Sequence, residues 1–399
     1  MRTPAISGFV EPGFENVRET FVENFERRGE LGAACCVYYR GEKVVDLWGG
    51  IRDKSTGDPW EEDTMVLVYS TTKGIAGLTM ALAHSRGLFD YDECVSTYWP
   101  EFAQYGKEQI TVRQLLSHQA GLYALDERLD ASLVTDLDRL AAVLSRQKPA
   151  WQPGTHQAYH AITIGFYESE LLRRVDPKHR SIGQFFQEEI AIPLGIDLYI
   201  RLPPEIPNYR LARLEKCSRA SLISTFFTMP SFVFSVFNPH SRLRRALLGS
   251  ELSEQDREHV YARNMEVPAG GGVGTARALA YAYSVFATGG KKLGLREDTM
   301  RQLMAPATPP VRGFHDECLK IDAQFSLGFL KPNPKHAFGH PGSFGAPGYG
   351  GSFGFADPEA QIGYGYVMNH LGPHLIDPRD EALRKAVYSA IEQRIASVQ

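Results

Sequence analysis

Cysteine is scarce in this 399-residue sequence: Cys35, Cys36, Cys94, Cys217 and Cys318 are odd in number, irregular in spacing and include no Cys-x-x-Cys pair. That argues against a disulfide framework and fits free thiols in a reducing compartment. Long apolar runs are missing as well. No stretch approaches the ~18 apolar residues of a membrane span, and Met1-Arg2-Thr3-Pro4-Ala5-Ile6-Ser7-Gly8 lacks the apolar centre of a secretory leader. A cytoplasmic protein without a membrane span is the expectation.

An excess of positive charge is also absent. Lys and Arg number 43 against 47 Asp and Glu, a net charge of −4, and no basic stripe is present, so nucleic acid is not an expected partner. No internal repeat or low-complexity linker is visible. What remains is 43% hydrophobic and 11% aromatic content, enough to bury one large core or two coupled ones, as a globular enzyme does.

The chemistry centres on Val68-Tyr69-Ser70-Thr71-Thr72-Lys73-Gly74-Ile75, where Ser and Lys stand three apart as an apolar-periodic helix begins and continues through Ile75, Leu78 and Leu82. Residues three apart share a helix face at about 5–6 Å between Cβ atoms, so Lys73 can reach the Ser70 hydroxyl. Serine is a weak nucleophile that needs a neighbouring base, and a desolvated lysine is one solution. A position in the first helical turn adds free N–H groups and the positive end of the helix dipole, which favour an oxyanion near Ser70. The plainer reading makes Ser70 a helix cap and Lys73 a solvated side chain.

Residues 12–28 are expected as a helix, and Ala33 to Tyr39 with Lys43 to Trp48 as a β-hairpin around Arg40-Gly41-Glu42. A short helix with a Gly stop is expected within Ile110 to Leu122, and further helices at 135–147, 161–175 and 181–192. Strands are expected at Phe325 to Leu330, Gly351 to Ala356 and Ile362 to Met368, with an amphipathic helix over 378–396. Strands at both ends and helices between them imply an α/β architecture with an inserted helical region. The expected division is an α/β sheet domain, 1–68 with 260–399, and a mostly helical domain, 69–259.

Three further stretches carry weight. Tyr159, presented by the turn Trp151 to Ala158 just before a helix, could shuttle a proton as a lysine-stabilised tyrosinate, or simply be a buried Tyr. Phe338-Gly339-His340-Pro341-Gly342-Ser343 suggests a strand edge whose Ser343 N–H serves as second oxyanion donor. The aromatic run 222–247, with Phe226, Phe227, Phe232, Phe234 and Phe237, reads as a flap packed on the core or as the lining of an acyl pocket. Two glycine motifs fail their tests. Ala269 to Thr275 lacks the Gly-Lys-Ser/Thr of a phosphate loop, so its glycines are expected to allow close packing at a helix start. Gly350-Gly351-Ser352-Phe353-Gly354 spells a nucleophile elbow, but more strand follows Ser352 where the elbow needs a helix.

Together these stretches resemble the serine β-lactamase and penicillin-binding-protein superfamily, in particular class C β-lactamases and the carboxylesterases called family VIII. Ser70-Thr71-Thr72-Lys73 matches its S-x-x-K, Tyr159-His160-Ala161 stands in the place of its Y-x-N, and His340-Pro341-Gly342 in the place of its K-T-G. Leu115 to Leu122 and Gly351 to Pro358 look like family signatures too. The resemblance implies a β-lactamase-like fold, an antiparallel sheet flanked by helices, and an acyl-enzyme mechanism without cofactor or metal. Its implied catalytic residues are Ser70, Lys73 and Tyr159, with His340, Gly342 and Ser343 at the oxyanion and substrate side. Ala161 in place of Asn and His340 in place of Lys point away from β-lactams and toward a small-molecule ester as substrate. The expected activity is therefore that of a serine carboxylesterase. Alternatives are an acyltransferase with the same machinery, a weak β-lactamase, or a non-catalytic scaffold of the same fold. Oligomeric state is not legible.

Overall fold

The computed structural model describes residues 5–216, 234–235, 237–238, 240–248, 263, 265–374 and 376–396. The described residues form twelve strands: β1 (Ile6–Val10), β2 (Gly32–Tyr39), β3 (Glu42–Asp53), β4 (Asp58–Pro59), β5 (Val66–Leu67), β6 (Leu198–Tyr199), β7 (Val273–Gly274), β8 (Gln324–Ser326), β9 (Phe329–Lys331), β10 (Phe344–Pro347), β11 (Phe353–Asp357) and β12 (Ile362–Met368). Of these, β2 to β5 and β8 to β12 follow one another without an intervening helix. The helices that position the site are α1 (Glu15–Arg27), α2 (Thr71–Ser85), α3 (Val112–Leu116), α4 (Leu137–Arg146), α5 (Thr163–Val175), α6 (Ile182–Phe186), α7 (Arg242–Leu248), α8 (Ala276–Ala287), α9 (Glu297–Met304) and α10 (Pro378–Ala396).

The nine-stranded antiparallel sheet has the order β1-β3-β2-β12-β11-β10-β9-β8, with β4 on β3, so strands from both ends of the chain meet at the β2–β12 pair. The strands' period of two sends alternate residues to two cores. Cys35, Tyr366 and Phe355 face one core, closed by α1 and α10, while Cys36, Val367 and Ala356 face the other, which holds α2 and α8. On the α8 side the sheet carries glycines because the helix lies directly on it. A Cβ at Gly363 would stand 2.3 Å from Ser284 N, and one at Gly365 would stand 2.4 Å from Ala276 O.

Several elements differ from the sequence expectation. Phe325 to Leu330 is not one strand but the β8–β9 hairpin, turning at Leu327 and Gly328 with φ +52° and +88°, a turn that suits the twist of paired strands. Strand β10 starts just beyond the strand edge expected at Phe338 to Ser343, in a sequence, Phe-Gly-Ala-Pro, of weak strand propensity. The Ile110 to Leu122 helix is only α3, begun by a capping box between Thr111 and Gln114 and left by His118 at φ +60°. The buried face of α10 carries Arg379, Asp380 and Arg384 beside Leu383, Val387 and Ile391, so ion pairs such as Arg384–Asp380 (2.8 Å) interrupt the apolar stripe. Most of the 222–247 aromatic run, including Phe226, Phe227 and Phe232, lies outside the described residues. Within it, α7 buries Leu243 and Ala246 in the cluster that holds Ala158, Ala161 and Tyr159, while Phe234 and Phe237 are exposed.

Candidate active site

Helix α2 is held at its start by its own threonines. The side chain of Thr71 bonds to Ser352 O at 3.2 Å, Thr72 Oγ1 accepts from Gly272 N at 2.8 Å, and Val68 N–H donates to Gly272 O at 2.9 Å. Glycines let the sheet close on this helix: a Cβ at Gly74 would meet Ala346 at 2.9 Å, and one at Gly77 would meet the Phe329 ring at 2.7 Å. Tyr69 precedes Ser70 at φ +47°, a conformation costly for a non-glycine residue and frequent at functional sites. Ser70 stands at the helix start, but its side chain makes no capping bond, so the plain cap reading fails. Its N–H has no partner among the described residues.

Lys73 is buried, only 5% exposed, so it is not a solvated first-turn residue. Its Nζ lies 3.2 Å from Ser70 Oγ and donates to Ala161 O at 2.7 Å and Ala269 O at 2.9 Å. Burial lowers its pKa to about 7, against an opposing pull from Glu168. The Ala269 carbonyl reaches it because Gly165 in α5 lets the 268–269 segment pack tightly, a Cβ there standing 2.5 Å from Ala269 N. The Gly-rich stretch thus serves close packing, as expected, and also supplies a ligand to the lysine.

Tyr159 shares a hydrogen bond with the Ser70 side chain, and Lys73 Nζ stands 4.7 Å over its ring. Burial pushes the phenol well up, so Tyr159 rests as a neutral hydroxyl, which of the two readings open from sequence is the buried Tyr and not the tyrosinate. The loop that presents it is clamped to His118. Ala158 N–H donates to His118 O at 3.0 Å, and His160 N–H donates to His118 Nδ1 at 3.1 Å. Burial holds both imidazoles neutral, His118 well below its ordinary range and His160 down to about 3.

His340, Gly342 and Ser343 are not brought to this group. His340 Nδ1 pairs with Asp357 at 2.8 Å, and the Tyr388 hydroxyl donates to the same carboxylate at 2.6 Å. Ser343 N–H, expected as an oxyanion donor, is spent on His340 O at 2.9 Å, and Gly342 O accepts from Lys331 at 3.2 Å. Asp357 ends β11, whereas Ser352 just before that strand touches Thr71; the five residue steps from Ser352 to Asp357 span roughly 16 Å at a strand's rise of about 3.3 Å per residue. The backbone that does meet α2 is the β10–β11 turn. A Cβ at Gly348 would stand 2.2 Å from Val68 O and 2.7 Å from Thr71 Oγ1, and the Tyr349 ring meets Tyr69 at 5.5 Å. Sequence reading missed Gly348, Tyr349, Ala269 and Glu168. The signal for the first two was present: Ala346-Pro347-Gly348 stands directly before the Gly351 to Pro358 signature, nearer to it than His340-Pro341-Gly342. Ser352 is buried and donates to Val68 O at 2.9 Å, a structural bond, and strand β11 follows it instead of a helix.

The chain belongs to the Beta-lactamase family, whose model matches residues 17–389. It is 32% identical to the esterase/beta-lactamase LipL of Mycobacterium tuberculosis, over 98% of this chain and 89% of LipL. Among solved structures, a family VIII carboxylesterase superposes with a TM-score of 0.83 at 34% identity, covering 97% of this chain and 100% of the other. EstA from Arthrobacter nitroguajacolicus Rue61a does so with a TM-score of 0.82 at 32% identity, covering 97% and 99%. No helix among the described residues is long and apolar enough to cross a membrane.

Proposed function

We propose that the chain is a serine hydrolase that cleaves carboxylic esters of small molecules through an acyl-enzyme on Ser70. The observation that carries this reading is the environment of Lys73. An uncharged amine has two N–H donors and one lone pair; Ala161 O and Ala269 O take the donors, and the lone pair is left for the Ser70 proton. Ser70 Oγ attacks the ester carbonyl as its proton passes to Lys73 Nζ. The oxyanion is held by Ser70 N–H at the start of α2 and by the backbone of the 348–351 turn, in place of Ser343. Tyr159, a neutral phenol bonded to Ser70, protonates the leaving alkoxide and recovers its proton from Lys73. Water then deacylates the enzyme by the reverse transfers.

The ester reading over a lactamase reading is supported by the similarity to carboxylesterases and by two positions. Ala161 offers Lys73 a carbonyl but no side-chain amide, and Ala346-Pro347-Gly348, the motif beside α2, carries no lysine for a substrate carboxylate. The division into a sheet domain, 1–68 with 260–399, and a helical domain, 69–259, is part of this proposal, supported by the origin of the nine-stranded sheet in 6–59 and 324–368. A reducing, cytoplasmic setting and no nucleic-acid partner also belong to it, supported by free Cys35, Cys36, Cys94 and Cys318 and by the net charge of −4. The test is labelling with a fluorophosphonate followed by peptide mapping. The label is expected on Ser70; a label elsewhere, or none on folded protein, overturns the reading.

A further inference from the structure

Glu168 lies in the second turn of α5, fully buried, and neither of its carboxyl oxygens has a hydrogen-bond partner among the described residues. It sits under α2 at the β8–β9 turn: a Cβ at Gly328 would stand 3.4 Å from its Oε1 and 3.2 Å from Gly77 Cα. Gly77 is one helical turn beyond Lys73. A carboxyl is among the costliest groups to bury without a partner, and no bond offsets that cost here, so packing alone gives no reason for an acid at this position.

The charges around it single out one partner. Lys73 faces Ser70 on its own helix, Tyr159 and His160 on the loop before α5, and His118 on the loop after α3; Glu168 faces Lys73 and, from the segment after α2, Tyr91. Burial keeps both histidines and both tyrosines uncharged. Among the described residues Glu168 is the carboxyl whose charge acts on Lys73, while that of Asp316 acts on Tyr159. We infer that Glu168 is a positioning residue for the reaction on Ser70, a buried counter-charge for the ammonium that Lys73 becomes when it takes the serine proton. In that step the Ser70 O–H bond breaks, Oγ keeps the electron pair and bonds to the ester carbonyl carbon, and Nζ gains the proton. Glu168 neither gains nor loses one. Burial raises its pKa to about 8, while the attraction of Lys73 opposes the shift, so the carboxylate is present on the alkaline side of neutrality.

The inference rests on Lys73 being the base, and its test separates the two. Glu168→Gln keeps the shape and removes the charge. Its kcat/KM on nitrophenyl butyrate is expected to equal wild type within about twofold near pH 6 and to fall behind by at least about tenfold near pH 9, because only wild type gains the carboxylate in between. Glu168→Asp is expected to restore part of that pH-dependent gain. A wild-type to Gln ratio that is constant across pH, whatever its size, marks a merely structural role and overturns the inference. Should Glu168→Gln not fold, infrared difference spectra of the wild type decide: a buried carboxylic acid band that vanishes with the alkaline step supports the inference, and its absence overturns it. Fluorophosphonate labelling of Ser70 in the same preparations shows separately whether the underlying reading stands.

Discussion

Replacing Gly348 by Ala tests which glycine motif borders the nucleophile. The position has no positive φ, so alanine meets no backbone strain there, only contacts. Its Cβ would stand 2.2 Å from Val68 O and from Ser352 Oγ and 2.7 Å from Thr71 Oγ1. A main-chain oxygen cannot rotate away, and Ser352 Oγ is committed to Val68 O and Thr71. Ordinary contact therefore requires the turn or the start of α2 to retreat by on the order of 1 Å, a displacement that costs about 10² in rate at a site tuned for attack. Overpacking of this kind destabilises by about 1–3 kcal/mol, which for a chain of this size lowers Tm by only a few degrees. Gly342→Ala is the control: its Cβ would find Met304 Cε at 3.6 Å and nothing closer, so kcat/KM should stay within about twofold. The assay is nitrophenyl butyrate hydrolysis with thermal unfolding on each variant. A Gly348→Ala protein with wild-type activity, or a Gly342→Ala protein that loses as much, would refute the placement of the oxyanion backbone at the 348–351 turn.

Ser70→Ala should abolish ester hydrolysis. Ser352→Ala should keep a measurable rate and lose about 1–2 kcal/mol of stability through its bond to Val68 O, so an inactive but folded Ser352→Ala with an active Ser70→Ala reverses the assignment. Lys73→Ala and Tyr159→Phe should each lower kcat by at least about 10², and the double variant should be little worse than the poorer single one, since one proton-transfer unit shares one barrier; additive losses would separate the two residues. Because the Lys73 pKa is lowered to about 7 and the neutral amine is the base, kcat/KM should fall as pH drops through that value, below the further alkaline gain assigned to Glu168; a profile flat down to about pH 5 would remove Lys73 as the base. Nitrophenyl butyrate should be a better substrate than nitrocefin by at least about tenfold per missing anchor, and equal kcat/KM values would restore the β-lactamase reading.

What sequence made legible was local in origin. Ser70 and Lys73 are linked by helix geometry alone, and the hairpin at Arg40-Gly41 by its turn, so periodicity and turn chemistry sufficed. The His340 motif misled because sequence order along a strand does not say which end of it meets the helix. His340-Pro341-Gly342 and Ala346-Pro347-Gly348 are six residues apart and look alike, and only the register that pairs Pro347 with Phe353 and Phe344 with Ala356 shows that the second lies beside α2. The same register explains Ser352: it stands just before strand β11 and donates into the segment before the nucleophile, so its elbow-like spelling has no elbow beneath it.

The base itself is the least local feature. Three apart from Ser70, Lys73 would be an ordinary ammonium on an exposed helix; its carbonyl partners come from Ala161 and Ala269, 88 and 196 residues away, and its opposing charge from Glu168. Those partners converge through small residues. Gly165 brings the 268–269 segment to α5, Gly77 and Gly328 bring the β8–β9 turn to α2, and Gly74 admits Ala346 of β10. A side chain at Gly165, Gly77 or Gly74 would collide with a neighbour, one at Gly328, at φ +88°, would crowd Gly77 Cα at 3.2 Å, and each would push apart the walls that keep water from Nζ. Since desolvation is the dominant cause of the lowered lysine pKa, the glycines act on the chemistry without touching substrate. On this argument Gly165→Ala, whose Cβ would press on the 268–269 segment behind Lys73, should raise the Lys73 pKa toward its ordinary value and move the acidic limb of kcat/KM to higher pH. A limb that stays in place while the rate falls would assign the glycine to packing alone.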